Sequence, residues 1–303
     1  MASICGRLGV STGEALRSFF TRPGNKLARV VNSAKGVDKL AKTAKSAAEL
    51  TASILEHTEG TGTDSFVTAS KVAKGFGDAR TVIALGNAFN GSLPATVQSA
   101  RSCFDHIRAA RKPEEKGQNV LMKDVCVAHK RRAAADACAA IGGATYLTTF
   151  GVIRPVLFVN KLLAKPFLSS QAKNGLGSSV GYIMAANHAA SVVGAGLNIS
   201  AERADCEERC NRILRGEADQ VLGANNEIGK ESVRQRAVAG EKSRSMTRIK
   251  YSILTMIEKF LECVSDLFKL VPLPIAQGIR AIVAAGCTLS AAVIGLCVFW
   301  SKA

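Results

Sequence analysis

AAADACAAIGGATYLTTFGVIRPVLFVNKLLAKPFLSSQAKNGLGSSVGYIMAANHAASVVGAGLNISA, residues 133–201, is the stretch whose reading decides the fold. From Ala137 to Ile153 seventeen residues carry no charge; Arg154 and Pro155 interrupt, and VLFVN follows. From Asn174 to Ala201 there are twenty-eight more without Asp, Glu, Lys or Arg. A helix rises 1.5 Å per residue, so about twenty residues cross a hydrocarbon layer roughly 30 Å thick. Two membrane-length helices, about 137–159 and 176–200, are expected to form a hairpin joined near 161–173.

Working outward, 47% of the 303 residues are apolar while 21% are charged, which implies polar blocks alternating with long apolar ones. Aromatics are only 5%, so a large aromatic core is not expected. The expected class is mainly α, a multi-helix membrane protein with a bilobed hydrophobic hairpin and a C-terminal apolar helix. Few segments combine strand-like alternation with turn spacing. The blocks are a basic N-terminal helical region (1–132), the hairpin (133–201), a charged helical region (202–250), and an amphipathic helix followed by a further span (251–303). The net charge of +16 suits either nucleic acid or an anionic membrane face, and the long apolar runs favour the membrane.

Toward the N-terminus, Ser11 or Thr12 offers a cap for a short helix ended by Pro23-Gly24. Residues 25–57 read as a helix with Lys35, Lys39, Lys42 and Lys45 on a basic, solvated face. Phe66–Ile107 reads as one or two helices broken at Asn90-Gly91, and 108–119 as an exposed linker. MASICGRLGV contains no apolar core of the kind a secretory signal needs. Nine scattered cysteines, an odd number, argue against a disulfide scaffold.

Lys130, Arg131 and Arg132 abut the first apolar run and read as a topology marker. Gly177, Gly181, Ala185 and Ala189 recur every four residues, with Gly194 on a neighbouring series; Gly143 and Gly151 could supply the facing surface. Small residues at this spacing let helix backbones approach closely in lipid. Asn187 and His188 lie near the middle of the second run, and buried in lipid they require partners, with Thr145, Thr148 and Thr149 in reach across the hairpin.

Tyr251–Leu270 is amphipathic, with Ile253, Leu254, Ile257, Phe260, Leu261, Val264, Leu267 and Phe268 on a wide apolar face. Residues 281–300 are uncharged, bracketed by Arg280 and Lys302 with Trp300 at the boundary, as in a membrane span. No GxSxG, HExxH, P-loop or strand-led GxGxxG occurs, so no catalytic residue, cofactor or enzyme activity is expected. Cys206 and Cys210 are four apart, but tetrahedral zinc needs two further ligands and no His or Cys follows before Cys263; no metal is expected.

Several phrases carry a resemblance: MASICGRLG (1–9), VIALGNAFNG (82–91), AHKRRAAA (128–135), FGVIRPVLFVNKLLAKPFLSSQ (150–171), GYIMAANHAASVVGAGLNISAERADC (181–206), IEKFLECV (257–264) and FKLVPLPIAQGIRAIVAAGCTLSAAVIGLC (268–297). Along its whole length the chain resembles the chlamydial inclusion membrane proteins. The resemblance implies export by a type III apparatus, insertion in the membrane of the bacterium's vacuole in the host cell, and scaffolding or recruitment of proteins. The partners it implies are that bilayer and host or bacterial proteins; self-association into a homo-oligomer is a further expectation, and nucleic acid is not. The connector is longer and more basic than in a tight hairpin, and a third apolar segment would place the termini on opposite sides. A rival expectation is a soluble helical protein that buries the hairpin and inserts it to perturb or permeabilise membranes.

Overall fold

The structure is a computed structural model and describes residues 30–31, 33–111, 120–215, 227–272 and 274–302. The N-terminal helix expected after Ser11 and residues 112–119 of the expected linker lie outside the described residues, while 108–111 continue a helix. The described chain is mainly helical: α1 (Ala34–Thr58), α2 (Asp64–Asn87), α3 (Leu93–Arg111), α4 (Val120–Tyr146), α5 (Arg154–Leu162), α6 (Ser170–Leu214), α7 (Glu227–Leu270) and α8 (Gln277–Lys302). Three helical runs, His129–Leu162, Ser170–Leu214 and Gln277–Lys302, are long and apolar enough to cross a membrane.

Local chemistry explains the boundaries. Ser33 caps α1 by accepting from the Gly36 amide at 3.0 Å, and Thr63 caps α2 by accepting from Phe66 at 3.3 Å. Between them Gly60 has φ 88°, a left-handed turn that glycine adopts without a Cβ clash. The connector of the hairpin is closed by buried Asn160, whose Oδ1 accepts from the Leu168 amide at 2.9 Å. Arg154 and Pro155 do not interrupt the first apolar run. The chain passes through them by a π-helical turn, Leu147–Ile153, directly before the α5 first turn that holds Pro155. Proline has no N–H to give to the ladder, and a widened turn absorbs the loss. A second π-helical turn, Ala88–Ser92, replaces the break expected at Asn90-Gly91.

The helices form two compact units. The first comprises the described parts of 1–98, 139–192 and 254–303. In it α1 packs on α2 and α8, α2 meets α5, and the two π-helical turns touch. Its interior is built of small side chains, among them Ala41, Ala84, Ala88, Ala285 and Ala292, with Phe150 the largest fully buried one. A buried methyl contributes only about 0.8 kcal/mol, so this interior leans on close helix approach and on polar links.

The second unit comprises the described parts of 99–138 and 193–253. Buried Glu202 is its hub: Arg209 donates to it at 2.7 Å, Arg248 at 3.2 Å and Arg132 at 3.4 Å. Arg132 also pairs with Asp205, and Arg209 with Glu241 at 2.7 Å. His106 and His129 face each other through their Nδ1 atoms at 3.1 Å, and Ser102 donates to Asp136 at 2.6 Å.

Candidate functional site

The site begins on the polar face of α7. Glu258 and Glu262 there are 4% and 3% exposed, while Phe260 and Leu267 of the apolar face are 56% and 48% exposed. The charged stripe is drawn inward by its counterpart on α1. Lys39 donates to Glu258 at 2.6 Å, and Lys42 pairs with Glu262. Lys259 completes the set, 2.7 Å from Glu262 and 4.0 Å from Glu258. Lys39 and Lys42, read from sequence as part of a solvated face of α1, therefore turn toward carboxylates more than two hundred residues along the chain. Lys45 pairs with Glu49 on its own helix, and Lys35 is exposed.

Gly295 on α8 makes room for this. A Cβ there would come within 2.5 Å of both Glu258 Oε1 and Lys39 Nζ. Ser265 and Thr288 share a hydrogen bond of 2.7 Å nearby, so α8 faces α7 through polar atoms too.

The cluster extends into the hairpin through His188. Its Nε2 lies 3.0 Å from Glu262 Oε2 and its Nδ1 lies 2.7 Å from Asp266 Oδ2. A neutral imidazole has one N–H, so making both contacts as hydrogen bonds needs a further proton on the ring or on a carboxylate. Beside it Asn187 donates to the Gly142 carbonyl at 2.6 Å and to Thr145 Oγ1 at 2.8 Å. Asn187 thus closes the hairpin on itself, and His188 clasps it to α7.

Electrostatics follow the geometry. Burial, then the ammonium of Lys259, pushes Lys42 well below the usual lysine range. Burial pushes Lys259 down to about 8, against the pull of Glu258. Burial alone would raise Glu258, but Lys259, Lys39 and Lys42 outweigh it and hold its carboxyl below the ordinary glutamate value. Three lysines thus meet two carboxylates, Glu258 and Glu262, and His188 links Glu262 to Asp266. Such a network is satisfied as a whole and costly to break in part.

The apolar stretches lie elsewhere. In the most apolar eighteen residues of the three long runs, only 17%, 28% and 33% are buried. Val152, Tyr182, Val193 and Val293 point outward. Large apolar side chains thus stand outside while a charged cluster is buried among small ones.

No protein-family model, curated protein or solved structure matches the chain.

The residues singled out from sequence take varied positions. A Cβ at Gly143 would lie 1.9 Å from Thr96 Oγ1 of α3, and one at Gly151 would touch Ala88 and Phe89 at ordinary distance. A Cβ at Gly181 would lie 2.8 Å from Leu270, whereas Gly177 faces open space. Ala185 is half-buried and Ala189 exposed. Gly194 packs on Cys138, a Cβ there lying 3.0 Å from the cysteine's Cβ. Of the flanking residues, Lys130, Arg131 and Lys302 are exposed, Arg280 is half-buried, and Arg132 is engaged with acids on α6. Trp300 is 3% exposed, packed inside its unit. Among the described residues no three His, Cys, Asp or Glu side chains are grouped to hold a metal. Glu258, Glu262 and Asp266 went unnoticed as a site. The signal was present, three acids spaced by four on one helix and Lys39 and Lys42 spaced by three on another.

Proposed function

We propose that this protein acts on membranes without catalysing a reaction, by inserting its apolar hairpin into a bilayer and perturbing or permeabilising it. One observation carries the reading: the hairpin is closed by polar clasps and leaves large apolar side chains of both arms exposed. Asn187 closes the two arms and His188 ties them to Glu262 and Asp266, while Ile141, Val152, Val159, Tyr182 and Val193 of the arms are exposed. Moving that surface from water into lipid gains roughly 25 cal/mol per Å², and the clasp is what insertion has to release or carry along. The net charge of +16 draws the chain to anionic lipid.

The test is dye release from vesicles of mixed phosphatidylcholine and phosphatidylglycerol, with flotation in parallel. The expected result is that the chain floats with the vesicles and releases dye. A chain that stays in the aqueous fraction and releases none would overturn the proposal.

A second reading rests on the phrases quoted from 1–9, 82–91, 128–135, 150–206 and 257–297. By resemblance to the inclusion membrane proteins, the chain would reside in the membrane of a bacterial vacuole after type III export. There it would recruit host or bacterial proteins, alone or as a homo-oligomer. Tags at both ends and protease protection on intact vacuoles separate the readings, since a resident protein gives a fixed pattern without added vesicles.

A further inference from the structure

We propose that the cavity beside Arg154 binds the phosphate of an anionic phospholipid headgroup. The cavity, about 670 Å³, lies between α5, the start of α6 and α2, within one unit, and is of a size that takes a headgroup with part of its glycerol. Three cations line it: Arg154, Lys161 and Lys173. Asp78 is its one acid, and that carboxylate is paired with Lys161.

Arg154 is the deciding residue. It stacks on Phe150, 4.9 Å from the ring centroid, and its buried Nε has no hydrogen-bond partner. Among the described residues no carboxylate pairs with it. A guanidinium keeps its charge in proteins, and this half-buried one has only the longer-range charge of Glu49 to balance it, so an anion placed against it from outside gains a charge-assisted contact. Its planar fork matches phosphate oxygens two at a time. Leu157, Phe158 and Val180 make the rest of the wall apolar. Space is left at Gly177, where a Cβ would meet nothing within 4 Å. Leu162, the last residue of α5, and Phe167, on the connector after it, are exposed apolar side chains where acyl chains would run. A free phosphate would have no use for those walls, whereas an amphiphile fits both halves. The inference rests on the membrane reading and names the lipid class that it would meet.

The experiment uses the full chain in neutral detergent, titrated calorimetrically with dihexanoyl phosphatidic acid, dihexanoyl phosphatidylcholine and inorganic phosphate. Phosphatidic acid is expected to bind roughly tenfold more tightly than phosphatidylcholine, the equivalent of one charge-assisted contact. Arg154→Gln should erase that preference and Lys173→Gln, an exposed position that leaves the fold alone, should weaken it about threefold. Lys165→Gln, on the exposed connector outside the cavity, should change nothing. Undiminished binding of phosphatidic acid by both Arg154→Gln and Lys173→Gln, or its absence in the wild type, would overturn the proposal. Inorganic phosphate binding as tightly as phosphatidic acid would overturn the lipid assignment in favour of a free anion. Because no bilayer is present, this outcome is independent of dye release.

Discussion

Replacing Glu262 by Gln tests the charged interior at its most connected point. The side chain is 3% exposed, pairs with Lys42, lies 2.7 Å from Lys259 and faces His188 at 3.0 Å. Glutamine keeps the shape and removes the charge, so two buried ammonium groups lose their shared counter-ion. Breaking a buried pair from one side costs about 3–5 kcal/mol. Glu258→Gln is the internal comparison. Its partner Lys39 is 26% exposed and can turn to water, so a smaller loss of roughly 1–3 kcal/mol is expected. The assay is urea unfolding followed by far-ultraviolet circular dichroism, with Lys42→Met and the Lys42→Met/Glu262→Gln double variant closing a cycle. The double variant should cost less than the two single ones combined, by about 1 kcal/mol or more. Glu262→Gln should also speed dye release, because it loosens the clasp on His188. A Glu262→Gln protein within about 0.5 kcal/mol of the wild type, the range of ordinary surface changes, would refute the reasoning.

Further expectations follow from single contacts. Lys259 titrates near 8 when folded and near 10.5 when unfolded, so the unfolded chain binds the extra proton between those values. Stability should therefore be lowest below pH 8 and rise toward pH 10.5 by up to about 3 kcal/mol; in Lys259→Met, urea midpoints across that window should lose this rise. Asn187→Ala removes hydrogen bonds to Gly142 and Thr145 that close the hairpin, and should cost about 1–3 kcal/mol in the same assay. Gly143→Ala drives a methyl into Thr96 and should lose about 1–3 kcal/mol, while Gly177→Ala, in open space, should gain up to about 1 kcal/mol. Equal thermal midpoints for the two glycine variants would contradict the packing described.

What the sequence made legible was whatever is written in one dimension. Absence of charge over seventeen and twenty-eight residues marks apolar helices whatever they pack against. The need of Asn187 for a partner was equally visible, and Thr145 is among the three threonines that the facing arm offered. The orientation of α7 was not. Amphipathicity defines two faces but leaves open which one is inward, and that was decided by Lys39 and Lys42, 219 and 220 positions away from their partners. A lysine face reads as solvated unless its acidic complement is found. The continuity of the first apolar run through Pro155 was hidden for a different reason. A π-helical turn has no residue signature of its own, and a proline alone suggests a stop.

The claim on which the account depends is that the outward apolar face of the hairpin enters lipid. It is tested most directly by a polarity-sensitive fluorophore on Cys introduced at Tyr182, an outward-facing position of α6, in a chain whose nine cysteines are otherwise replaced. On adding anionic vesicles the emission should shift to the blue and become quenchable by a lipid-phase nitroxide and shielded from iodide. An unshifted emission that iodide quenches as well as before would contradict it.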